Sequence, residues 1–182
     1  MKKATKLMFG LLVLGALALG SGPARAGSPG PYYAMPSWDQ TLPAASRFIV
    51  LSNLGSAAVL DRETGLVWEQ SPDTNTHVWS TGDAAFACVS KNVGGRKGWR
   101  LPSIVELTSL IDPSVPSPGP TLPAGHPFTN VQSNEYWSAT TVANSPVDAW
   151  MVDLNVGGVG LNLKVFALNI WCVRGGGVLE NY

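Results

Sequence analysis

The feature that most constrains the fold is the pair of cysteines, Cys88 and Cys172, the only two in the sequence. An even cysteine count in an exported chain favours pairing, because the compartment is oxidising. A bridge would close a loop of about 85 residues and, on the chain-entropy model, stabilise the fold by about 4–5 kcal/mol. Two buried free thiols and a two-cysteine metal site are the alternatives. The metal site lacks partners, since His77 and His126 are isolated and there is no C-x-x-C.

The first 26 residues have the three parts of a secretory signal. Lys2, Lys3 and Lys6 form a positive start, an apolar core covers residues 7–20, and Ala-Arg-Ala at 24–26 is a cleavage motif before Gly27. The core of about 14 residues is short for a helix that crosses a bilayer of roughly 30 Å. We therefore expect an exported protein, periplasmic or secreted, with no membrane span after signal removal. An uncleaved membrane anchor is the alternative.

Removal of the signal changes the charge of the chain. The full sequence balances 12 basic and 12 acidic residues. Four of the basic residues lie in the signal, so the mature part would have a net charge of about −4. Nucleic-acid surfaces need clustered positive charge, and the local basic cluster is limited to Arg96, Lys97 and Arg100. A nucleic-acid partner is therefore not expected.

The strand pattern predicts a mixed α+β domain after an extended lead-in at residues 27–46, which is rich in proline and glycine. Strands are predicted at 48–51, 57–60 and 66–68, with a turn at Asp61–Gly65 before the third. Later strands are predicted at 136–141, 149–154, 161–166 and 168–174. Glycines 157, 158 and 160 are interpreted as a hairpin turn.

Two helices are predicted in the first half of the domain. The first is expected to have Ser80 or Thr81 as its N-cap and to end at Gly94-Gly95. Its apolar residues are Ala84, Ala85, Cys88 and Val89, with Phe86 beside them. The second begins with a capping box at Ser103 and Glu106, continues through Leu107, Leu110 and Ile111, and ends at Asp112-Pro113. Six prolines in residues 113–127 then predict a stiff, exposed loop.

Five sequence blocks in order resemble one family. They are LDRETGLVWE at 60–69, GWRLPS at 98–103 with Glu-Leu at 106–107, YWSAT at 136–140, WMVDL at 150–154 and WCVRG at 171–175. Together they resemble the Lcl C-terminal domain family, a domain of unknown function named for the tip of bacterial collagen-like adhesins. The resemblance covers roughly residues 47–177, with a tail at 178–182. The signature residues, expected to be structural, are Asp61, Gly65, Leu66, Trp68, Trp99, Arg100, Leu101, Pro102, Glu106, Leu107, Tyr136, Trp137, Ser138 and Arg174.

The resemblance implies a C-type-lectin-like α+β fold, related to the sulfatase-modifying-factor domains. Such a fold has two helices, a twisted antiparallel sheet and one disulfide that joins the first helix to the last strand. The positions of Cys88 and Cys172 fit this arrangement. The sequence has no G-x-y repeat, so trimerisation through a collagen-like stalk is not carried over. The oligomeric state stays open.

For each residue that could take part in chemistry or binding, a structural role is the favoured interpretation. Arg100, Glu106 and Arg174 form either a polar cluster in the fold or a ligand cleft. The first is favoured, because Glu106 has a capping role and we expect Arg174 to pair with a carboxylate inside the fold. Ser138 lacks the G-x-S-x-G elbow of hydrolases, and neither histidine has an evident orienting partner. Both histidines are interpreted as surface loop residues.

No cofactor is expected, although calcium is weighed as a low-ranking alternative. Calcium needs several oxygen ligands brought close together, and there is no D-x-D-x-D run. The candidate ligands are Glu135, Asp148, Asp153 and Asn155. Trp79, Tyr136 and Trp137 would stack on sugar rings if exposed, but burial in the core is the favoured interpretation.

These observations predict an exported, non-catalytic lectin-like domain that binds a carbohydrate or protein at a surface. The alternative is an enzyme or enzyme accessory of the sulfatase-modifying-factor type. Formylglycine-generating enzymes of that type use a reactive cysteine pair with copper, and a structural bridge here would leave no thiol for such chemistry. A structural component of an envelope assembly is the third hypothesis.

Overall fold

The computed structural model describes residues 42–175. The expected signal peptide, the lead-in up to residue 41 and the tail lie outside the described residues. The described part has three helices, α1 (Ala44–Arg47), α2 (Asp83–Ser90) and α3 (Ile104–Thr108), and a 3₁₀ turn at Ser52–Leu54. It also has nine strands, which confirms the α+β class.

The strands form two sheets, whereas the family resemblance implied one. The first sheet has the order β1-β2-β3-β9, with β1 (Phe48–Val50), β2 (Ala58–Asp61), β3 (Val67–Glu69) and β9 (Val173–Arg174). The second has the order β4-β8-β5-β6-β7, with β4 (Thr76–Val78), β5 (Glu135–Val142), β6 (Ser145–Asp153), β7 (Gly158–Leu163) and β8 (Ala167–Asn169). All strand pairs are antiparallel except β5 with β8. The expectation of one sheet was wrong because β4 was not predicted and because the run predicted at 168–174 is divided between the two sheets, as β8 and β9.

The hairpin between β2 and β3 forms as the sequence predicted. The Gly65 N–H donates to the Asp61 carbonyl at 2.8 Å, and Gly65 has a φ of 73°, which a side chain would disfavour. The Asp61 carboxylate accepts a hydrogen bond from the Glu63 N–H at 3.0 Å. Asp61 therefore starts the turn. Because its carboxylate is buried, it needs a cationic partner, and a guanidinium nitrogen of Arg47 lies 2.8 Å from it.

The predicted start and apolar face of α2 were wrong. The N-cap is Gly82, with a φ of 75° and no side-chain cap, so neither Ser80 nor Thr81 caps the helix. Only Ala84 and Cys88 of its residues are buried, whereas Phe86 is 71% and Val89 62% exposed. The helix ends at Ser90, before the Gly94-Gly95 turn. A helix of this length contacts the rest of the fold over a small area, and the small side chains of Ala84 and Cys88 occupy that area.

The α3 capping box is confirmed, but the helix is shorter than predicted. The Ser103 hydroxyl accepts from the Glu106 N–H, and the Glu106 carboxylate accepts from the Ser103 N–H. The helix ends at Thr108 rather than at Asp112-Pro113. The proline-rich loop that follows is only partly exposed, because Thr121 and Leu122 are buried. Thr121 is held by its N–H and its hydroxyl, which both donate to the Leu154 carbonyl.

Two late strands differ from their predicted bounds. The strand predicted at 161–166 covers Gly158–Leu163, so Gly158 and Gly160 belong to β7 and Gly157 alone has the positive φ of the turn, 70°. The strand predicted at 168–174 is divided into β8 and β9, which lie in different sheets. The residues between them, 170–172, are fully buried and connect the two sheets.

The second sheet separates two apolar clusters. Tyr136 and Val152 are paired and contribute to the first cluster, whereas their neighbours Trp137 and Met151 are paired and contribute to the second. This follows from the alternation of side chains between the two faces of a strand. The first cluster also contains Trp68 and Trp171, and the second contains the disulfide.

Candidate binding surface

The disulfide predicted from the cysteine count is present. Cys88 on α2 and Cys172, which directly precedes β9, are bonded with their Cα atoms 5.4 Å apart. Glu69 lies beside the bridge and accepts a hydrogen bond from the Cys172 N–H at 3.0 Å. Its other oxygen is 2.7 Å from the Lys91 ammonium. Burial raises the pKa of Glu69 despite the opposing effects of Lys91 and the Cys172 N–H.

The apolar signature residues are buried in the two clusters. Five have less than 2% of their surface exposed: Trp68, Trp99, Leu107, Tyr136 and Trp137. The indole N–H of Trp99 donates to the Arg96 carbonyl, and that of Trp137 to the His77 carbonyl. Leu66 and Leu101 are also buried, and the Pro102 carbonyl accepts from the Ala139 N–H at 2.7 Å. These positions hold the fold together and leave no ring face for a ligand.

Arg100 and Glu106 form a polar cluster at the start of α3. Arg100 donates to both Glu106 oxygens, at 2.7 and 2.6 Å, and also to the Gly175 carbonyl at 2.8 Å. Burial raises the pKa of Glu106, but the hydrogen bonds from Arg100 and Ser103 outweigh it and hold the pKa below its usual value. The cluster therefore fastens α3 to the end of the described chain.

The expectation for Arg174 was wrong. The side chain is exposed, and its Nε donates to the Lys97 carbonyl at 3.0 Å rather than to a carboxylate inside the fold. The reason is the alternation of β9, which points Val173 into the core and Arg174 outward. Arg174 thus joins neither a buried polar cluster nor a cleft with Glu106.

Tyr136 and Ser138 have structural partners. The Ser138 hydroxyl is buried and donates to the Trp150 carbonyl at 2.7 Å, so it is not poised as a nucleophile. The Tyr136 hydroxyl accepts from the Gln132 N–H at 2.7 Å. Burial raises the pKa of Tyr136 to about 12, against the opposing effect of that hydrogen bond.

The four candidate calcium ligands do not all converge, because Asp148 lies apart from the other three. Glu135 and Asp153 are paired across β5 and β6, but Asp148 lies five residues further along β6, roughly 17 Å away for an extended strand. The Glu135 carboxylate accepts from the Asn162 side chain at 3.1 Å, and the Asp153 carboxylate accepts from the Asn155 N–H at 2.8 Å. Within residues 42–175, no cluster of three or more His, Cys, Asp or Glu side chains fits a metal ion.

His77 lies in an arrangement that the sequence did not reveal. It is on β4 and largely buried, with Nδ1 3.0 Å from Asp83 and Nε2 3.5 Å from Asp73. The interpretation of His77 as an unpartnered loop residue was therefore wrong, because β4 brings it against α2. His126 lies in the proline-rich loop against the Phe128 ring, and burial lowers its pKa.

The tryptophan side chains, including Trp79 and Trp137, which were weighed for sugar stacking, differ in exposure. Trp137 and Trp171 are fully buried. Trp79 and Trp150 are half-buried, and the Lys164 ammonium covers the Trp79 ring at 4.1 Å from its centroid. The Trp79 N–H donates to the Ser138 carbonyl at 2.9 Å.

The exposed apolar residues concentrate on β7 and the turn that follows it. We define the β7 surface by five side chains that are each 44–65% exposed: Val159, Leu161, Leu163, Val165 and Phe166. The first three alternate along β7 and lie on the same face of the second sheet as their partners on β6, which are Val152, Trp150 and Asp148. Neighbouring exposed apolar side chains, such as those along β7, are typical of an interaction site. The period-two pattern of GVGLNL was the available sequence signal, but its glycines led to the hairpin interpretation.

The family model of the Lcl C-terminal domain matches residues 57–174. The chain therefore belongs to the Lcl C-terminal domain family. The described fold extends beyond the N-terminal limit of the match, since β1 pairs with β2 and Phe48 joins the first apolar cluster.

No curated protein matches the chain. Among residues 42–175, no helix has the length and apolar character needed to cross a membrane.

Proposed function

We propose that the protein is an exported, non-catalytic binding domain with a C-type-lectin-like fold, and that the β7 surface recognises a protein at a cell or matrix surface. The observation that carries the proposal is the concentration of exposed aliphatic and aromatic side chains on one strand and its turn. The signature residues weighed for a site, such as Arg100, Trp137 and Ser138, contact other parts of the fold instead. Export rests on the three-part pattern of residues 1–26.

The chemistry of the surface favours a protein over a carbohydrate. Sugar sites combine flat aromatic rings with polar groups that fix the hydroxyls, whereas the β7 surface is mainly aliphatic. Protein interfaces have apolar centres that exclude water. Two observations support the lectin-like assignment: the presence of two longer helices, α2 and α3, and the disulfide that joins α2 to the residue before β9.

The rival hypothesis, an enzyme of the sulfatase-modifying-factor type, needs a reactive thiol. Both cysteines of the chain are joined in the bridge, and both are fully buried. This observation favours the binding domain. Labelling of the native protein with a thiol reagent discriminates the two, since a reactive cysteine would support the enzyme.

The binding experiment uses the protein purified from the periplasmic and culture fractions. A mass consistent with an N-terminus at Gly27 supports export. Binding is then measured to matrix proteins, to whole cells and to a glycan array, with and without calcium. We expect saturable binding to a protein target that does not depend on calcium.

A matched pair of double variants locates the surface. Leu163→Ser with Val165→Ser removes apolar side chains from the β7 surface, and Phe86→Ser with Val89→Ser removes exposed apolar side chains from α2, which packs against the opposite face of the second sheet. The first variant should weaken binding by about tenfold or more, and the second should leave it unchanged. Equal effects of the two variants, or binding to glycans alone, would contradict the proposal.

A further inference from the structure

β7 is an edge strand with unused backbone groups. It pairs with β6 along all six of its residues, and no other strand of the described chain lies on its outer side. The Lys164 N–H donates to the Val147 carbonyl of β6. Because backbone groups alternate in direction along a strand, the N–H and C=O groups of Val159 and Leu161 point away from β6. The Leu163 N–H is already satisfied, since it donates to the Asn162 side chain at 2.9 Å.

This edge has none of the usual protections against strand pairing. Natural edge strands are kept apart by charged residues, prolines, bulges or shortness. β7 has the sequence GVGLNL, with no charge and no proline, and its register with β6 is continuous. The opposite edge of the same sheet, β4, has only three residues and carries His77 between two aspartates. The contrast shows that β7 alone of these two edges is built for pairing.

We propose that β7 pairs antiparallel with β7 of a second copy of this chain, about a twofold axis at Gly160, so that the two second sheets become one. In that register Val159 lies opposite Leu161 of the second copy, and Leu161 opposite its Val159. The outward backbone groups of these residues then form the interstrand hydrogen bonds. The proposal concerns the strand edge and does not depend on the identity of the surface partner.

Self-pairing is favoured over a foreign strand by the symmetry of the sequence pattern. A twofold axis perpendicular to the sheet places each residue opposite one of the same face. Aliphatic side chains therefore meet aliphatic side chains, and Gly160 meets Gly160, where no side chains collide. A charge at position 159 or 161 would lie diagonally across the strand pair from its own copy, and β7 has no charged residue. The face that carries the β7 surface would become continuous across both copies.

The size of the contact sets the expected strength of the dimer. Val159 and Leu161 are each 51% exposed in the single chain, so pairing buries aliphatic surface that is now in water. One pair of short strands buries less than the roughly 1,200 Å² of a standard stable interface. We therefore expect a reversible dimer whose population depends on concentration.

Sedimentation equilibrium of the purified protein over a concentration series, without any partner, tests the proposal. The key variant is Leu161→Pro, because proline removes the outward N–H and is tolerated where that N–H faces solvent. The matched control is Leu161→Thr, which keeps the N–H and suits a strand. Circular dichroism and the intact disulfide establish that both variants fold.

We expect a monomer–dimer equilibrium in the wild type, with a dissociation constant raised about tenfold or more by Leu161→Pro, since one hydrogen bond is lost in each copy. Leu161→Thr should have a smaller effect. A second variant, Val159→Lys, should also separate the copies by placing lysines near each other. A monomer at all concentrations, as when another segment of the same chain covers the edge, would overturn the proposal. So would an assembly that neither Leu161→Pro nor Val159→Lys weakens.

Discussion

Three carboxylates, Asp61, Glu69 and Glu106, each join parts of the chain that are distant in sequence. The Asp61 carboxylate forms an ion pair with Arg47 of α1. The Glu69 carboxylate forms an ion pair with Lys91 and accepts a hydrogen bond from the Cys172 N–H. The Glu106 carboxylate accepts a hydrogen bond from Arg100, which also donates to the Gly175 carbonyl. A buried carboxylate is costly unless it is paired and hydrogen-bonded. At the residue scale, these three acids therefore specify how the segments meet.

The first prediction concerns the pH dependence of the Glu106 contribution. Glu106→Gln should lower the free energy of unfolding by about 1–2 kcal/mol at pH 7, a value kept modest because Arg100 is partly exposed. The folded pKa of Glu106 lies below its unfolded value. The unfolded chain therefore binds more protons, and the stabilisation is present above the unfolded pKa and lost as pH falls through the folded pKa.

Denaturant titrations of the wild type and of Glu106→Gln at several pH values check this prediction. The difference between the two should be largest near neutral pH and should close as the solution is acidified. A difference that stays constant with pH would mean that Glu106 acts through packing rather than through its charge.

At the element scale, the two longer helices begin for different reasons. The α3 start is local, because Ser103 and Glu106 satisfy each other's backbone groups within four residues. The α2 start depends on the path of the chain out of β4. The Ser80 N–H donates to the Lys164 carbonyl, so the segment before α2 is held by the β7–β8 turn. Gly82 then takes the left-handed conformation that turns the chain into the helix.

The second prediction tests which residue limits the start of α2. Gly82→Ala should destabilise the fold by about 1 kcal/mol, because a side chain is disfavoured at a φ of 75°. The added Cβ would contact nothing within 4 Å, so the cost is conformational rather than steric. Thermal unfolding measures the effect.

Ser80→Ala is the matched control for the cap that the sequence suggested. It should change the free energy of unfolding by no more than about 0.5 kcal/mol, as for ordinary surface positions. A loss of stability on Ser80→Ala larger than that on Gly82→Ala would restore the original assignment.

At the scale of the whole molecule, one small region joins both sheets and α2. Cys88 belongs to α2, Cys172 precedes β9 of the first sheet, and both lie in the cluster under the second sheet. The Glu69–Lys91 pair connects β3 to the residue that follows α2 at the same place. The covalent bond and the ion pair therefore restrain the same junction.

The third prediction is the cost of losing the bridge. Replacing both cysteines by alanine should lower the free energy of unfolding by about 4–5 kcal/mol on the chain-entropy model. That is a large share of the roughly 5–15 kcal/mol that stabilises an ordinary domain, so the variant should be partly unfolded at 37 °C. Calorimetry of the wild type with and without reductant gives the comparison.

The double alanine variant is also the control for effects of the reductant other than cleavage of the disulfide. Reductant should destabilise the wild type but leave the alanine variant unchanged. If the alanine variant melted at the same temperature as the oxidised wild type, the Glu69–Lys91 pair and the core would hold the junction without the bridge.

The sequence by itself determined the features that depend on neighbouring residues or on counting. The Asp61–Gly65 turn, the Ser103–Glu106 capping box and the cysteine pair were all predictable, because each is complete within a few residues or by elimination among two cysteines. Five ordered blocks were enough to identify the family, which the match to residues 57–174 confirms.

The tertiary structure alone decided which face of each element is buried and which edge is open. Phe86 and Val89 look like core residues in the sequence, but α2 is too short to bury them. His77 gains two aspartates only because β4 pairs with β8 beside α2. Likewise, Gly158 and Gly160 were interpreted as part of a turn, whereas the pairing of β7 with β6 makes them strand residues and leaves Val159, Leu161 and Leu163 exposed. Whether a side chain is buried depends on residues that are distant in sequence and are brought near it by the fold, and a local sequence pattern does not contain that information.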